Sequence, residues 1–114
     1  MVNDDELWNL EERFWTGGAD SARSLTAKGA VVVVPYPAGI LQGDGLWSDE
    51  AAVRRWRSVV LSDRFLTRKD DIAVLAYRVS AERDAAPIYE ALCASTYLND
   101  NGSWLRMSHQ QTPV

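Results

Sequence analysis

Apolar residues near the start of the chain fall at Leu7, Trp8, Leu10, Phe14 and Trp15. At helical spacing they span an arc of roughly 160°, which predicts an amphipathic first helix. Asn3 and Glu6 have the spacing of a capping box at its start, and Gly17-Gly18 ends it near Trp15. Glu11 interrupts the pattern, since it falls near the middle of the apolar arc. Residues 19–25 read as a short second helix. The run Ala30-Val31-Val32-Val33-Val34 reads as a β-branched strand without a polar face. Pro35-Tyr36-Pro37-Ala38-Gly39 turns the chain, Ile40 and Leu41 return briefly as a strand, and residues 43–45 form a loop. Ser48 caps a third helix with Asp49 and Glu50 in its first turn, burying Ala52, Val53 and Trp56.

From residue 58 the pattern changes to strand after strand: 58–68, 72–82, 88–98 and 103–111. The last turn, Asn99-Asp100-Asn101-Gly102, is a strong tight-turn signal. Such short connections make neighbouring strands antiparallel, so the order is helices first and then a meander, an α+β arrangement. Both faces of this sheet read as apolar: Ile72 and Val74 on one side, Leu75, Tyr77 and Val79 on the other. A sheet wet on one face would alternate apolar with polar. The second face therefore needs a cover, either a second copy of the chain or a strongly curled sheet closing over itself.

At 114 residues the chain is expected to be one domain, 1–114, with an ordinary 46% hydrophobic and 25% charged content. A net charge of −4 argues against nucleic acid as the partner, because phosphate binding needs a basic face. Arg54, Arg55 and Arg57 form the only dense basic run, read as a solvated helix surface rather than an anion site. The single Cys93 rules out an internal disulfide and reads as a buried inert thiol. With an acidic N-terminus that lacks an apolar core, no signal peptide is expected, and no stretch approaches a membrane span. A cytoplasmic location is expected, with no membrane or cofactor implied.

The candidate chemistry gathers on a few polar residues at apolar positions. A carboxylate at Glu11 is either paired or has a raised pKa suited to a general acid or base. Asp63 has the same character on a strand, sharing its side with Leu61 and Phe65, unless that face is wet. His109, the only histidine, titrates nearest neutrality. By alternation it shares a face with Leu105, Met107 and Gln111, while Trp104 and Arg106 occupy the other, so the inward face is ambiguous. Tyr89, Ser95 and Tyr97 line one side of the penultimate strand, as ligand donors or as interface residues. Trp15 and Trp56 are pocket walls or core, and Tyr36 belongs at a pocket rim. One His and one Cys do not supply a metal-ligand set.

The order of elements resembles the nuclear transport factor 2-like superfamily, which includes ketosteroid isomerases, SnoaL-like polyketide cyclases and scytalone dehydratase. More narrowly it is similar to bacterial proteins grouped as domain of unknown function 4440. Four blocks carry the match: residues 7–15, residues 35–39, Asp70-Asp71-Ile72-Ala73-Val74-Leu75-Ala76-Tyr77, and residues 102–104 with His109-Gln110-Gln111-Thr112-Pro113. The resemblance implies a cone-shaped barrel, a strongly curved and mainly antiparallel sheet around the first of three helices, dimeric through its convex face. It also implies a pocket for a small apolar or aromatic compound. Acid–base catalysis would then fall to Glu11 as proton shuttle, with His109 and a tyrosine hydroxyl as polarising donors. The alternative is a non-catalytic binding or assembly module with a filled cavity.

Overall fold

In the computed structural model, residues 4–35, 38–47, 56–83 and 85–114 are described. Helix α1 (Asp4–Thr16) carries Asp4, Asp5 and Glu6 in its first turn and Arg13 in its last, as the helix dipole favours. Asn3, the expected cap, lies outside the described residues. The helix stops at Gly17, whose N–H donates to the Arg13 carbonyl at 2.7 Å. A Cβ there would meet that carbonyl oxygen at 2.5 Å, so only glycine permits this tight exit. A short α2 (Ala19–Ser24) follows.

Six strands follow in one sheet: β1 (Thr26–Pro35), β2 (Ala38–Gln42), β3 (Ser58–Lys69), β4 (Ile72–Glu82), β5 (Tyr89–Asp100) and β6 (Ser103–Pro113). A 3-10 turn, Gly43–Trp47, lies between β2 and β3. The spatial order is β2-β1-β6-β5-β4-β3. The meander β3 to β6 is antiparallel throughout, as its short turns dictate, but β1 joins β6 in parallel. The sheet is therefore mixed. Asn101 and Gly102, both at positive φ (54° and 89°), form the final hairpin turn, the conformation that favours an Asn-Gly pair.

Two expectations need correcting. The sheet is not a closed or strongly curled cone. Closure requires its outermost strands to pair, and here β2 and β3 remain opposite edges. One is only five residues long, and the other carries Arg64, Arg68, Lys69 and a bulge, devices that discourage edge pairing. Among the described residues there are two α-helices rather than three. The third, expected from Ser48, falls largely on residues 48–55, outside the described set.

The inner face of β4 reads Ala73, Leu75, Tyr77, Val79 and Ala81, all buried, and α1 lies against this face through Leu7, Trp8 and Trp15. Among the described residues no helix covers the outer face in this way. On it Val60, Phe65, Ile72 and Leu92 stand between 46% and 73% exposed. The two-sided apolar pattern thus has a one-sided structural answer.

Candidate functional site

Alternation brings Tyr77 from β4 and Ser95 and Tyr97 from β5 onto the inner face, beneath α1. For β6 the alternation is broken. Thr96 faces Ser108, whereas Tyr97 faces Arg106, so Met107 is an extra residue in a β-bulge. The bulge resets the phase: Trp104 and Arg106 point inward before it, and His109 after it. This explains why the pattern of β6 gave contradictory votes.

These side chains converge on Glu11, which is fully buried. Its Oε2 accepts from the Tyr77 hydroxyl at 2.5 Å and the Ser95 hydroxyl at 2.6 Å. Its Oε1 accepts from the Tyr97 hydroxyl at 2.5 Å and from Arg106 Nη1 at 3.4 Å. Trp15 Nε1 donates to the Tyr77 hydroxyl oxygen at 2.9 Å, freeing the Tyr77 proton for Glu11. Desolvation favours the neutral acid, but Arg106, His109 and the Ser95 hydroxyl outweigh it and hold the carboxyl well below the usual range. Of the two readings of Glu11, paired or raised in pKa, the pairing is what the site shows: donors to the ionised form overcome burial.

The hydrogen bonds also set the state of His109. Ser95 gives its proton to Glu11, so its oxygen must accept one from His109 Nδ1, 2.6 Å away. His109 Nε2 then accepts from the Gln111 amide at 3.1 Å, and Gln111 Oε1 accepts from the Tyr89 hydroxyl at 2.9 Å. The chain Tyr89–Gln111–His109–Ser95–Glu11 is complete with a neutral imidazole. Burial and Arg106 lower the His109 pKa against the opposing pull of Glu11, in agreement with that assignment. Burial first, then Glu11, raises the Tyr77 and Tyr97 pKa values, which keeps both as donors. The same two causes push the Cys93 thiol up to about 12, an inert state.

The structure brings Glu11, Trp15, Ser95, Tyr97 and His109 into one buried cluster, with Tyr89, Trp56 and Gln111 at its margin. Trp56 stacks on Tyr89 with ring centres 5.5 Å apart, and Trp15 packs edge-on to His109 at 6.0 Å. Asp63 does not join them. It is exposed, at φ 50°, within a bulge where residues 63 and 64 together oppose Tyr77. That extra residue turns it outward, correcting its expected place in the pocket. Tyr36 lies outside the described residues. Tyr77 and Arg106 were missed as site residues. The alternation of β4 already placed Tyr77 beside Leu75 and Val79, but the bulge hid Arg106.

Open space lies elsewhere. A cleft of about 90 Å³ is bounded by Phe14, Val32, Leu41, Leu46, Trp47 and Arg106. None of the expected pocket residues is among its described walls. Sites for drug-sized ligands occupy roughly 300 Å³ or more, so this cleft is small. Among the described residues no three His, Cys, Asp or Glu side chains group as a metal site. No described helix is long and apolar enough to cross a membrane.

No protein-family model matches the chain, and no curated protein matches it significantly in sequence. Solved structures do match in fold. A candidate ketosteroid isomerase from Parabacteroides distasonis superposes with a TM-score of 0.85 at 12% identity, covering 99% of this chain and 89% of that one. An NTF2-like protein from Cytophaga hutchinsonii gives 0.80 at 13% identity, covering 100% of both. The CaMKII hub homology domain of Chlamydomonas reinhardtii gives 0.74 at 13% identity, covering 100% and 99%. The fold is NTF2-like, of α+β class. Its neighbours are compatible both with a pocket protein and with an assembly module.

Proposed function

We propose that this chain is a non-catalytic, homo-oligomeric assembly module of the NTF2-like fold, acting in the cytoplasm. The observation that carries this reading is the outer face of the sheet. Ile72, Leu98 and Leu105 stand directly opposite one another across β4, β5 and β6, and Phe65, Ala76 and Ala94 form a second row across β3, β4 and β5. The Arg78–Glu90 ion pair, at 3.7 Å, balances the charge of this surface. Small residues between large exposed ones suit face-to-face packing of two sheets. The hub homology domain among the structural neighbours supports the same reading.

The acid–base reading on a small apolar or aromatic compound is weaker. A base must reach its substrate's proton, and both oxygens of Glu11 are occupied by donors in a fully buried site. The narrower kinship with domain of unknown function 4440 rests on the sequence blocks alone. Light scattering at micromolar concentration tests the assembly reading: a mass of at least twice the 12.7 kDa chain is expected. A strict monomer overturns it.

A further inference from the structure

Arg106 is the only charged residue among the described walls of the cleft, where Phe14, Val32, Leu41, Leu46 and Trp47 supply apolar surface. Its side chain is 12% exposed, and its guanidinium carbon lies 3.6 Å from the centre of the Phe14 ring. One Nη atom reaches Glu11 at 3.4 Å, a long contact for a charge-assisted bond. Glu11 itself is not among the cleft's walls. Arg106 is thus a cationic wall residue of the cleft, and its partner acid is not a wall residue.

A second, wider basin of about 410 Å³ shares Thr26, Leu46 and Trp47 with the cleft. Arg23, Lys28 and Asp44 stand around this basin, two cations to one acid, in a chain of net charge −4. Arg23 also lies over the Trp47 ring at 5.2 Å. Local positive potential on an acidic protein draws small anions toward the cleft.

We propose that the cleft binds a short-chain monocarboxylate, its carboxylate on Arg106 and its apolar body between Phe14 and Leu46. A volume of about 90 Å³ limits the ligand to a handful of heavy atoms. The guanidinium offers planar paired donors that match a carboxylate, and the apolar walls favour an alkyl group over a bare inorganic anion. This site is independent of assembly, since a single chain contains all of it.

The test is titration of the 114-residue chain with butanoate at pH 7, followed by amide NMR and tryptophan fluorescence. Butanamide serves as the neutral isostere, and inorganic phosphate as the anion without an alkyl body. Saturable shifts confined to Val32, Leu46, Trp47 and Arg106 are expected with butanoate, with binding at least about tenfold weaker for either control. Leu46→Trp, which fills the cleft while leaving the Glu11 cluster intact, should abolish those shifts. Arg23→Ala with Lys28→Ala should weaken binding severalfold and reduce its salt dependence. Absence of saturation, equal binding of butanamide or phosphate, or shifts centred elsewhere overturns the proposal. The comparison of ligands on the unaltered protein decides it even if Leu46→Trp fails to fold.

Discussion

Ser95 Oγ lies 2.6 Å from His109 Nδ1, and this contact places a proton on Nδ1, while the Gln111 amide at Nε2 completes a neutral ring. The serine proton is already given to Glu11 Oε2, leaving only its oxygen to accept. Nitrogen-15 NMR of the imidazole at pH 7 should show a protonated Nδ1 and an unprotonated Nε2. The opposite tautomer would contradict the hydrogen-bond direction drawn through Ser95, and an imidazolium would contradict the donation by Gln111 to Nε2.

Acid should destabilise the protein in two windows. The His109 pKa is lowered from 6.5 on folding, so the unfolded chain binds more protons below that value. Stability therefore falls as pH drops below about 6.5 toward the folded pKa. Glu11 is lowered from 4.5, so its contribution is intact above that value and is lost as pH falls further. Urea unfolding at pH 7.5, 5.5 and 4 should show both declines. His109→Asn should flatten the first; an unchanged first decline would remove His109 as its source.

Glu11 and Arg106 form a buried ion pair, with side-chain exposures of 0% and 12%. Removing one partner leaves the other charge inside, which typically costs about 3–5 kcal/mol. Glu11→Leu and Arg106→Met should each destabilise by about that amount, while the double substitution costs less than their sum. Denaturant melts of the four proteins measure the coupling. Additive losses would mean that the 3.4 Å contact carries little energy.

The outcome for this cluster shows what could be read from the chain and what was hidden. Glu11 announced itself because a carboxylate among Leu7, Phe14 and Trp15 breaks a helical pattern. Strands β4 and β5 were equally plain, since strict alternation survives from Ile72 to Glu82. Two bulges defeated the rest. Each inserts one residue and shifts later side chains to the opposite face, so Asp63 is exposed, and Arg106 and His109 share the inner face although simple alternation sets them apart. The parallel β1–β6 pairing was also hidden, because no local signal marks a contact between strands so distant in sequence. For Glu11 the choice between a paired and a raised carboxyl could not be made without placing Arg106, whose charge lowers the pKa that burial raises.

The outer sheet face should respond to charge without loss of fold. Phe65 is 73% exposed, so Phe65→Glu removes little internal packing. A single chain should lose less than about 0.5 kcal/mol, as exposed substitutions usually do. In an assembly packed through this face the same change buries an unpaired carboxylate and should lower the oligomer's mass in light scattering. An unchanged oligomer would place the interface elsewhere.

Gly17 offers a sharper test of local geometry. Its Cβ position lies 2.5 Å from the Arg13 carbonyl oxygen, which also accepts the Gly17 N–H. Gly17→Ala must therefore shift backbone atoms at the helix exit, where no flexible side-chain end can give way. A loss of about 1–3 kcal/mol is expected, the range for overpacking a tight contact. Because Phe14 and Gly17 both border the cleft, the same substitution should also perturb the amide resonances of Phe14 and Arg106. Gly18 has open space around its Cβ position, and Gly18→Ala should leave those resonances in place. Equal effects of the two alanines would show that steric contact at Gly17 does not govern how α1 ends.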